Sequence, residues 1–375
     1  MNTVLDAIVI GGGQAGLAMA WHLRQQNRRF LVLDAGPAIG HSWRSRWDSL
    51  VLFTPAQYDA LPAMAFPAPA DTYPSKDQVA DYLRDYAAAF DLPVRLDSRV
   101  TGLRRTGELF EVETDAQTFQ ARHVVLATGP FAVPFVPAAA GGLDDAVVQL
   151  HSSQYRNSRD LDDGPVLVVG GGNSGLQIAA ELARTRPVTL AIGTRFPTLP
   201  QRVLGRDLFW WLTRSRLLNL STGTRLGRRL SAKETIIGTT RRRLRRAGVT
   251  LRPRLLDANG TTVRFADGSS QNVSSVVWAT GFRPDYSWLD IPGVLDNGRI
   301  IHRRGVTDSP GLYVLGQAWQ HTRGSALLGF VKDDAAYLAD QLAARLEALA
   351  ATPLAATGRM VEPCRGHLGP SESPG

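Results

Sequence analysis

The chain has 375 residues and a single cysteine, Cys364. An internal disulfide and a Cys-x-x-Cys pair are therefore excluded, and with them electron delivery through a redox dithiol. No apolar run approaches the roughly 18 residues of a membrane-spanning helix. His/Cys clusters with metal-ligand spacing are missing too, so no metal is expected. Acidic residues are in the minority, 34 against 42 Lys and Arg, which leaves a formal charge of +8. Apolar residues make up 44% and charged residues 20%, an ordinary globular balance with enough length for two domains. The N-terminus runs straight into an apolar strand pattern, so the expected location is cytoplasmic, without a signal peptide.

Glycine is abundant in two clusters. The first reads Gly11-Gly12-Gly13-Gln14-Ala15-Gly16, the second Gly170-Gly171-Gly172-Asn173-Ser174-Gly175. Each follows a β-branched apolar run, Ala7-Ile8-Val9-Ile10 or Val166-Leu167-Val168-Val169, and each opens into a helical pattern. In such a strand–turn–helix unit the first glycine makes the turn and the second lets the backbone approach a pyrophosphate. The third lets the helix pack on the strand. The helix N-terminus offers free N–H groups and a positive dipole end to the phosphates. Two copies imply two dinucleotides held at once.

The ribose position separates the two copies. Asp34 ends the strand Phe30-Leu31-Val32-Leu33, 23 residues after Gly11. A carboxylate there accepts from ribose hydroxyls and repels a 2′-phosphate, so the first site takes FAD or NAD. The same offset from Gly170 falls on Gly193, at the end of Val188-Thr189-Leu190-Ala191-Ile192, with Thr194 and Arg195 following. An arginine in this place pairs with a 2′-phosphate, so the second site reads as NADPH. A chain holding FAD and NADPH moves hydride from nicotinamide to flavin.

A further repetition is Ala127-Thr128-Gly129 and Ala279-Thr280-Gly281, each at a strand end about 110 residues after its glycine motif. Small residues there let the chain pass close to a cofactor while crossing between domains. The expected fold is α/β, three-layered, with two Rossmann-like dinucleotide-binding domains. An FAD domain spans 1–160 plus 283–351. An NADPH domain spans 161–282 and carries an inserted helical segment at about 197–237. The Pro-, Gly- and Ser-rich residues 352–375 read as a disordered tail.

Residues 37–75 are irregular and rich in Pro, Trp, Ser and Tyr, a long segment of the kind that covers an active site. They precede a helix expected from Asp77 to Phe90 with Ser75 as N-cap. The insertion contains Leu208-Phe209-Trp210-Trp211-Leu212 and Leu217-Leu218. Such a segment packs as a cap helix, lines a substrate pocket, docks a second subunit in a homodimer, or makes a peripheral membrane contact. Arginine is concentrated between Arg195 and Arg254, notably Arg241-Arg242-Arg243 and Arg245-Arg246. Without aromatic interleaving this reads as a solvated helix face that steers an anionic cofactor, not as a nucleic-acid site.

With these residues in view, the chain resembles the class B flavin-dependent monooxygenases, which include the animal flavin monooxygenases and the plant YUCCA enzymes. The likeness runs from residue 4 to about 349. Its most specific stretch is Gly40-His41-Ser42-Trp43-Arg44, Trp47-Asp48-Ser49-Leu50, Thr54-Pro55, Leu61-Pro62, Phe66-Pro67, Tyr73-Pro74-Ser75-Lys76 and Tyr82-Leu83, with the spacing of the YUCCA-like and bacterial branch. Ala279-Thr280-Gly281-Phe282 and His321-Thr322-Arg323-Gly324-Ser325 resemble it as well. His151-Ser152 and Tyr155-Arg156 match the family fingerprint, but Asp145 and Val147 stand where it has Phe and Gly. Pro55 stands where the animal enzymes have an Asn beside the flavin, and Gln317 where many flavoproteins have an acid. The resemblance implies that NADPH reduces FAD, that O2 adds to give a C4a-(hydro)peroxyflavin, and that one oxygen atom passes to a small-molecule substrate. A water-excluding pocket matters more for this than acid–base groups.

The cofactor-binding candidates are Gly11, Gly13, Gln14, Ala15, Gly16, Asp34, Trp43, Arg44, Thr128, Gly129 and Gln317 for FAD. Gly170, Gly172, Asn173, Ser174, Gly175, Arg195, Thr280 and Gly281 are those for NADPH. No general base is evident; Asn173, Lys76 and Arg323 are the weak catalytic candidates. His151 reads equally as functional or structural. Two alternatives stand beside the monooxygenase: an FAD-dependent NADPH reductase serving a quinone or carrier, and a nucleotide-binding redox sensor without turnover.

Overall fold

The computed structural model describes residues 4–194, 197–232 and 235–351; Arg195 and the 352–375 tail lie outside the described residues. Two sheets organise the chain. In the first, Leu5–Ile10 is central, parallel to Phe30–Leu33 on one side and to Thr118–Leu126 on the other, with Val9 level with Val32 and Val125. Val94–Arg95 extends one edge and Leu312–Val314 pairs in parallel with Thr118–Leu126. The antiparallel strands Val100–Thr106 and Leu109–Thr114 continue the sheet, with Leu289–Asp290 beyond them.

The second sheet repeats the plan with five parallel strands in the order Thr250–Arg252, Val188–Ala191, Val166–Val169, Ser275–Trp278, Val148–His151. Val168 is level with Leu190 and Val277. Its central strands are buried along their whole length. Covering both faces of a parallel sheet demands such unbroken apolar strands. Val148–His151 joins this sheet although the sequence reading places it within the first domain. Its parallel pairing with Ser275–Trp278 decides the matter.

Three layers result around each sheet. Helices Gln14–Gln25, Lys76–Ala89 and Val331–Ala351 pack on one face of the first sheet through Leu17, Tyr82, Leu338 and Leu342. Each such aliphatic side chain is worth about 2 kcal/mol of burial. The opposite face is closed by Leu289, Ile291, Val294 and Ile300. On the second sheet Asn173–Leu182 and Arg241–Arg246 cover one face, and the antiparallel Leu255–Asn259, Thr262–Phe265 and Ser270–Asn272 cover the other. The Lys76–Ala89 helix begins in a full capping box, Ser75 with Gln78, which fixes its start one residue before the expected Asp77.

The insertion differs from a purely helical segment. Helices Leu208–Arg214 and Arg225–Ser231 are present, but Thr198–Pro200 pairs in parallel with Ile236–Gly238, and Arg202–Val203 forms a hairpin with Arg206–Asp207. Left-handed Leu204 and Gly205 make that hairpin's two-residue turn, a signal carried by the single glycine in the sequence.

Candidate dinucleotide sites

The two glycine motifs fold into the same cradle. Ala127 N–H donates to the Ile10 carbonyl and Ala279 N–H to Val169, each at 2.8 Å, so each Ala-Thr-Gly segment lies against its own glycine turn. Gly11 is at φ +108° and a Cβ there would sit 2.4 Å from the Ala127 oxygen. Gly170 is at φ +135° and a Cβ there would sit 2.0 Å from the Ala279 oxygen. Cβ atoms at Gly16 and Gly175 would lie 1.8 and 2.1 Å from the carbonyl oxygens of Gly11 and Gly170. Only glycine fits these four positions.

Gly13 and Gly172 behave in the opposite way, with open space all round a built Cβ. They are also the N-caps of Gln14–Gln25 and Asn173–Leu182, and no side chain caps either helix. An uncapped start leaves N–H groups facing open space, a cradle shaped for an anion. Gly129 (φ +69°) and Gly281 (φ +85°) border open space too. Pyrophosphate-bearing nucleotides fit both cradles on these grounds.

Around the first cradle, both carboxylate oxygens of Asp34 are held by backbone donors, Gly12 N–H at 2.6 Å and Gly36 N–H at 2.7 Å. Trp43 Nε1 donates to Gln14 Oε1 at 3.3 Å, which ties the 41–44 turn to the first helix. The Gln317 loop arrives at the same place, since a Cβ on Gly316 would lie 2.8 Å from the Ala15 Cβ. Gln317 Nε2 donates to the Tyr286 hydroxyl at 3.2 Å. Three further candidates point elsewhere. Arg44 is exposed and pairs with Asp81 at 2.9 Å. The buried Lys76 amine donates to the Arg44 carbonyl and to Asp77 Oδ1. Arg323 Nη2 reaches the Thr235 carbonyl, and its guanidinium lies 5.9 Å from the Trp319 ring.

At the second cradle the ribose position holds no acid. Gly170 N–H donates to the Ala191 carbonyl as Gly11 N–H does to Leu33, so Ile192 and not Gly193 stands level with Asp34. One residue on, a Cβ on Gly193 would lie 3.4 Å from Nε and 3.6 Å from Cζ of Arg254, an exposed guanidinium beside this strand end. Arg254 follows Thr250–Arg252, the strand parallel to Val188–Ala191. The parallel register brings the two strand ends side by side. A linear scan singles out Arg195 by its offset and has no means of finding Arg254.

The crossings between the two sheets are also joined. Val133–Pro134 pairs with Phe282–Arg283, Phe135 N–H donates to the Gly281 carbonyl at 2.9 Å, and the Thr280 hydroxyl bonds the Phe135 carbonyl. The Arg46 guanidinium stacks on Phe131 at 4.3 Å and lies 5.5 Å from Phe282. His151 Nε2 donates to the Gly281 carbonyl at 3.0 Å, and its ring meets Phe282 edge-on. Burial lowers the imidazole pKa, the Gly281 bond opposes this, and Arg46 adds to the lowering. The imidazole thereby ties the end of Val148–His151 to the Gly281 turn.

The 37–75 segment carries one titratable group the sequence does not signal. Asp59 is fully buried, accepts from the Thr54 hydroxyl at 2.6 Å, and has a second oxygen without a partner among the described residues. Burial pushes its pKa up to about 7, and the Thr54 bond only partly opposes the rise. Beside it, Phe53 and Tyr58 pack with Phe209, Leu218, Leu327 and Phe330 in an apolar cluster that joins this segment to the insertion. Buried Asp207 anchors the junction: it caps Phe209 N–H at 2.7 Å and accepts from Tyr73 OH and Gln201 Nε2.

Two cradles of this kind in one chain define an oxidoreductase built on two Rossmann-like units. The chain belongs to the pyridine nucleotide-disulphide oxidoreductase family, whose model matches residues 8–198. An oxidoreductase of Geobacillus kaustophilus described as CzcO-like is 45% identical over 345 residues, 91% of this chain and 99% of that one. The indole-3-pyruvate monooxygenase YUCCA1 of Oryza sativa is 27% identical, over 88% of this chain and 87% of its own length. Among solved structures, the flavin-containing monooxygenase from Stenotrophomonas maltophilia superposes with a TM-score of 0.77 at 28% identity, covering 92% of this chain and all of that one. The family's name refers to a disulphide, yet one cysteine cannot form an intrachain pair.

Proposed function

We propose that the chain is an NADPH- and O2-dependent flavin monooxygenase, with FAD in the first cradle and NADPH in the second. The observation that carries this reading is the duplicated cradle with two different strand ends, Asp34 in one and Ile192 followed by Gly193 beside Arg254 in the other. The bound flavin supplies hydride acceptance and oxygen transfer. With both nucleotides bound, NADPH would supply a hydride and solvent one proton, so that one atom of O2 would go to the substrate and the other to water.

The chain's own residues bind, orient and shield. The open N–H groups beyond Gly13 and Gly172 hold the two pyrophosphates, with Gln14, Ala15, Asn173 and Ser174 forming the first helical turns. Asp34, oriented by Gly12 and Gly36, accepts the adenosine ribose hydroxyls of FAD. Arg254, with Arg195, receives the 2′-phosphate as charge-assisted hydrogen bonds. Thr128-Gly129 and Thr280-Gly281 give the reacting rings a close backbone passage between the two sheets, with Val148–His151 counted in the second. Trp43 and Gln317 border the flavin side, while Arg44, Lys76 and Arg323 serve the framework of the covering loops. The apolar cluster of Phe53, Tyr58, Phe209 and Phe330 excludes water from the covered site. The YUCCA and Stenotrophomonas relatives support oxygenation of a small organic molecule.

Stopped-flow absorbance tests the reading: the protein is reduced anaerobically with NADPH and then mixed with O2. A transient distinct from both reduced and oxidised flavin, long-lived only with NADP present, is expected. Direct return to oxidised flavin, together with rapid turnover on a quinone, would establish a reductase instead.

A further inference from the structure

The excess positive charge of the chain is local. Residues 197–254 hold fifteen of the 42 Lys and Arg but only Asp207 and Glu234 of the 34 acids, so the remainder of the protein is net acidic. Asp207 is buried as a helix cap and adds nothing to the surface. The same stretch exposes apolar side chains. Of the twelve large hydrophobic residues exposed among the described residues, six fall between 197 and 232: Leu199, Leu204, Trp211, Leu217, Leu226 and Leu230.

These residues have a definite arrangement. Leu204, 86% exposed, sits at the tip of the Arg202–Val203/Arg206–Asp207 hairpin in a left-handed conformation that holds it outward. Trp211 Nε1 donates to the Val203 carbonyl at 3.0 Å, which places a 37%-exposed indole beside that tip. Arg206 lies over the neighbouring Trp210 ring at 5.4 Å. Leu217 follows the Trp-bearing helix and stays exposed while Leu218 anchors the turn in the core. Leu226 and Leu230, four apart on Arg225–Ser231, share a helix face flanked by Arg225, Arg228 and Arg229. Leucine and tryptophan projecting among arginines, with Asp207 the single acid among the described residues of 197–232 and buried, match an interfacial anchor on an anionic bilayer.

We propose that the 197–232 insertion docks the protein on an anionic lipid surface, with Leu204 and Trp211 entering the headgroup–acyl boundary and the surrounding arginines meeting lipid phosphates. A second copy of the chain fits this face poorly, because a two-fold contact would set the same arginines against one another. Duplex nucleic acid would satisfy the arginines but would leave Leu204 and Trp211 without an apolar partner.

Co-sedimentation of the full flavin-loaded protein with vesicles tests the proposal. Vesicles of phosphatidylcholine mixed with phosphatidylglycerol are compared with phosphatidylcholine alone. The protein is expected to sediment with the mixed vesicles at low salt and to be released at high salt. The Leu204→Ser/Trp211→Ser double variant should bind about tenfold more weakly, as expected for the loss of buried interfacial area. Its unchanged NADPH oxidation verifies the fold. Tryptophan quenching by brominated lipid, present in the parent protein and reduced in Trp211→Ser, reports insertion directly. Failure to bind the mixed vesicles would overturn the proposal. So would binding that the double variant retains in full, or preferential binding of duplex DNA over vesicles.

Discussion

The two cradles share their glycine geometry almost atom for atom and part company at the ribose. Gly11 and Gly170 press on an alanine carbonyl, Gly16 and Gly175 press on the first glycine, and Gly13 and Gly172 face open space. One strand further, the first site offers a carboxylate fixed by two backbone N–H groups, and the second an isoleucine at that level with a guanidinium beside the next residue, Gly193. Holding a pyrophosphate depends on backbone shape, which duplication preserves. Choosing which nucleotide to hold depends on one side chain beside that shape, and that side chain is free to differ.

The largest expected effect comes from breaking one cradle at a time. Gly170→Ala places a methyl group against the Ala279 carbonyl at a φ that L residues avoid. It should abolish reduction by NADPH while leaving the flavin bound, as read from the absorbance spectrum of the purified protein. Gly11→Ala should instead yield protein without flavin. Loss of both nucleotides from either variant would mean that the cradles do not act separately.

The 37–75 segment carries a pH dependence of its own. The Asp59 pKa is raised to about 7 by burial. The sign follows: the stability from its neutral form is complete below the ordinary carboxylate pKa and is lost as pH rises through about 7. The span is on the order of 4 kcal/mol. Asp59→Asn should therefore flatten the fall in Tm between pH 4 and 8, measured by thermal melts across that range. A variant melting curve that falls as steeply as the parent's would remove Asp59 as the cause.

Arg254→Ala sharpens the comparison at the ribose. Loss of a charge-assisted bond should raise KM for NADPH roughly 10- to 100-fold, with KM for NADH and kcat unchanged. Equal losses for NADPH and NADH would place Arg254 away from the 2′-phosphate. The smallest effect is expected from Ser75→Ala, which removes the capping box of the helix that follows the covering loop. It should cost about 1 kcal/mol in denaturant unfolding and leave nucleotide selectivity untouched.

The glycine turns and the Ala-Thr-Gly crossings were legible in the sequence because each lies beside its own strand and needs a residue without a side chain. The Ser75 cap was legible for a similar reason, since capping is local. What escaped depends on packing between distant segments. Arg254 stands 61 residues beyond Gly193, and only the parallel register of their strands brings them together. The Val148–His151 strand carries no mark of which sheet it joins. Asp59 reads as an ordinary loop acid until Thr54 and the apolar cover enclose it. The strands inside the insertion are two or three residues long, too short for any periodicity.

The most direct test of the account is a titration of the flavin-loaded protein with NADP, followed by calorimetry and by the flavin spectrum. The account predicts one NADP bound per flavin, with the flavin retained throughout and binding lost in Gly170→Ala. Displacement of flavin by NADP, or equal binding of NADP by Gly170→Ala, would contradict two separate cradles.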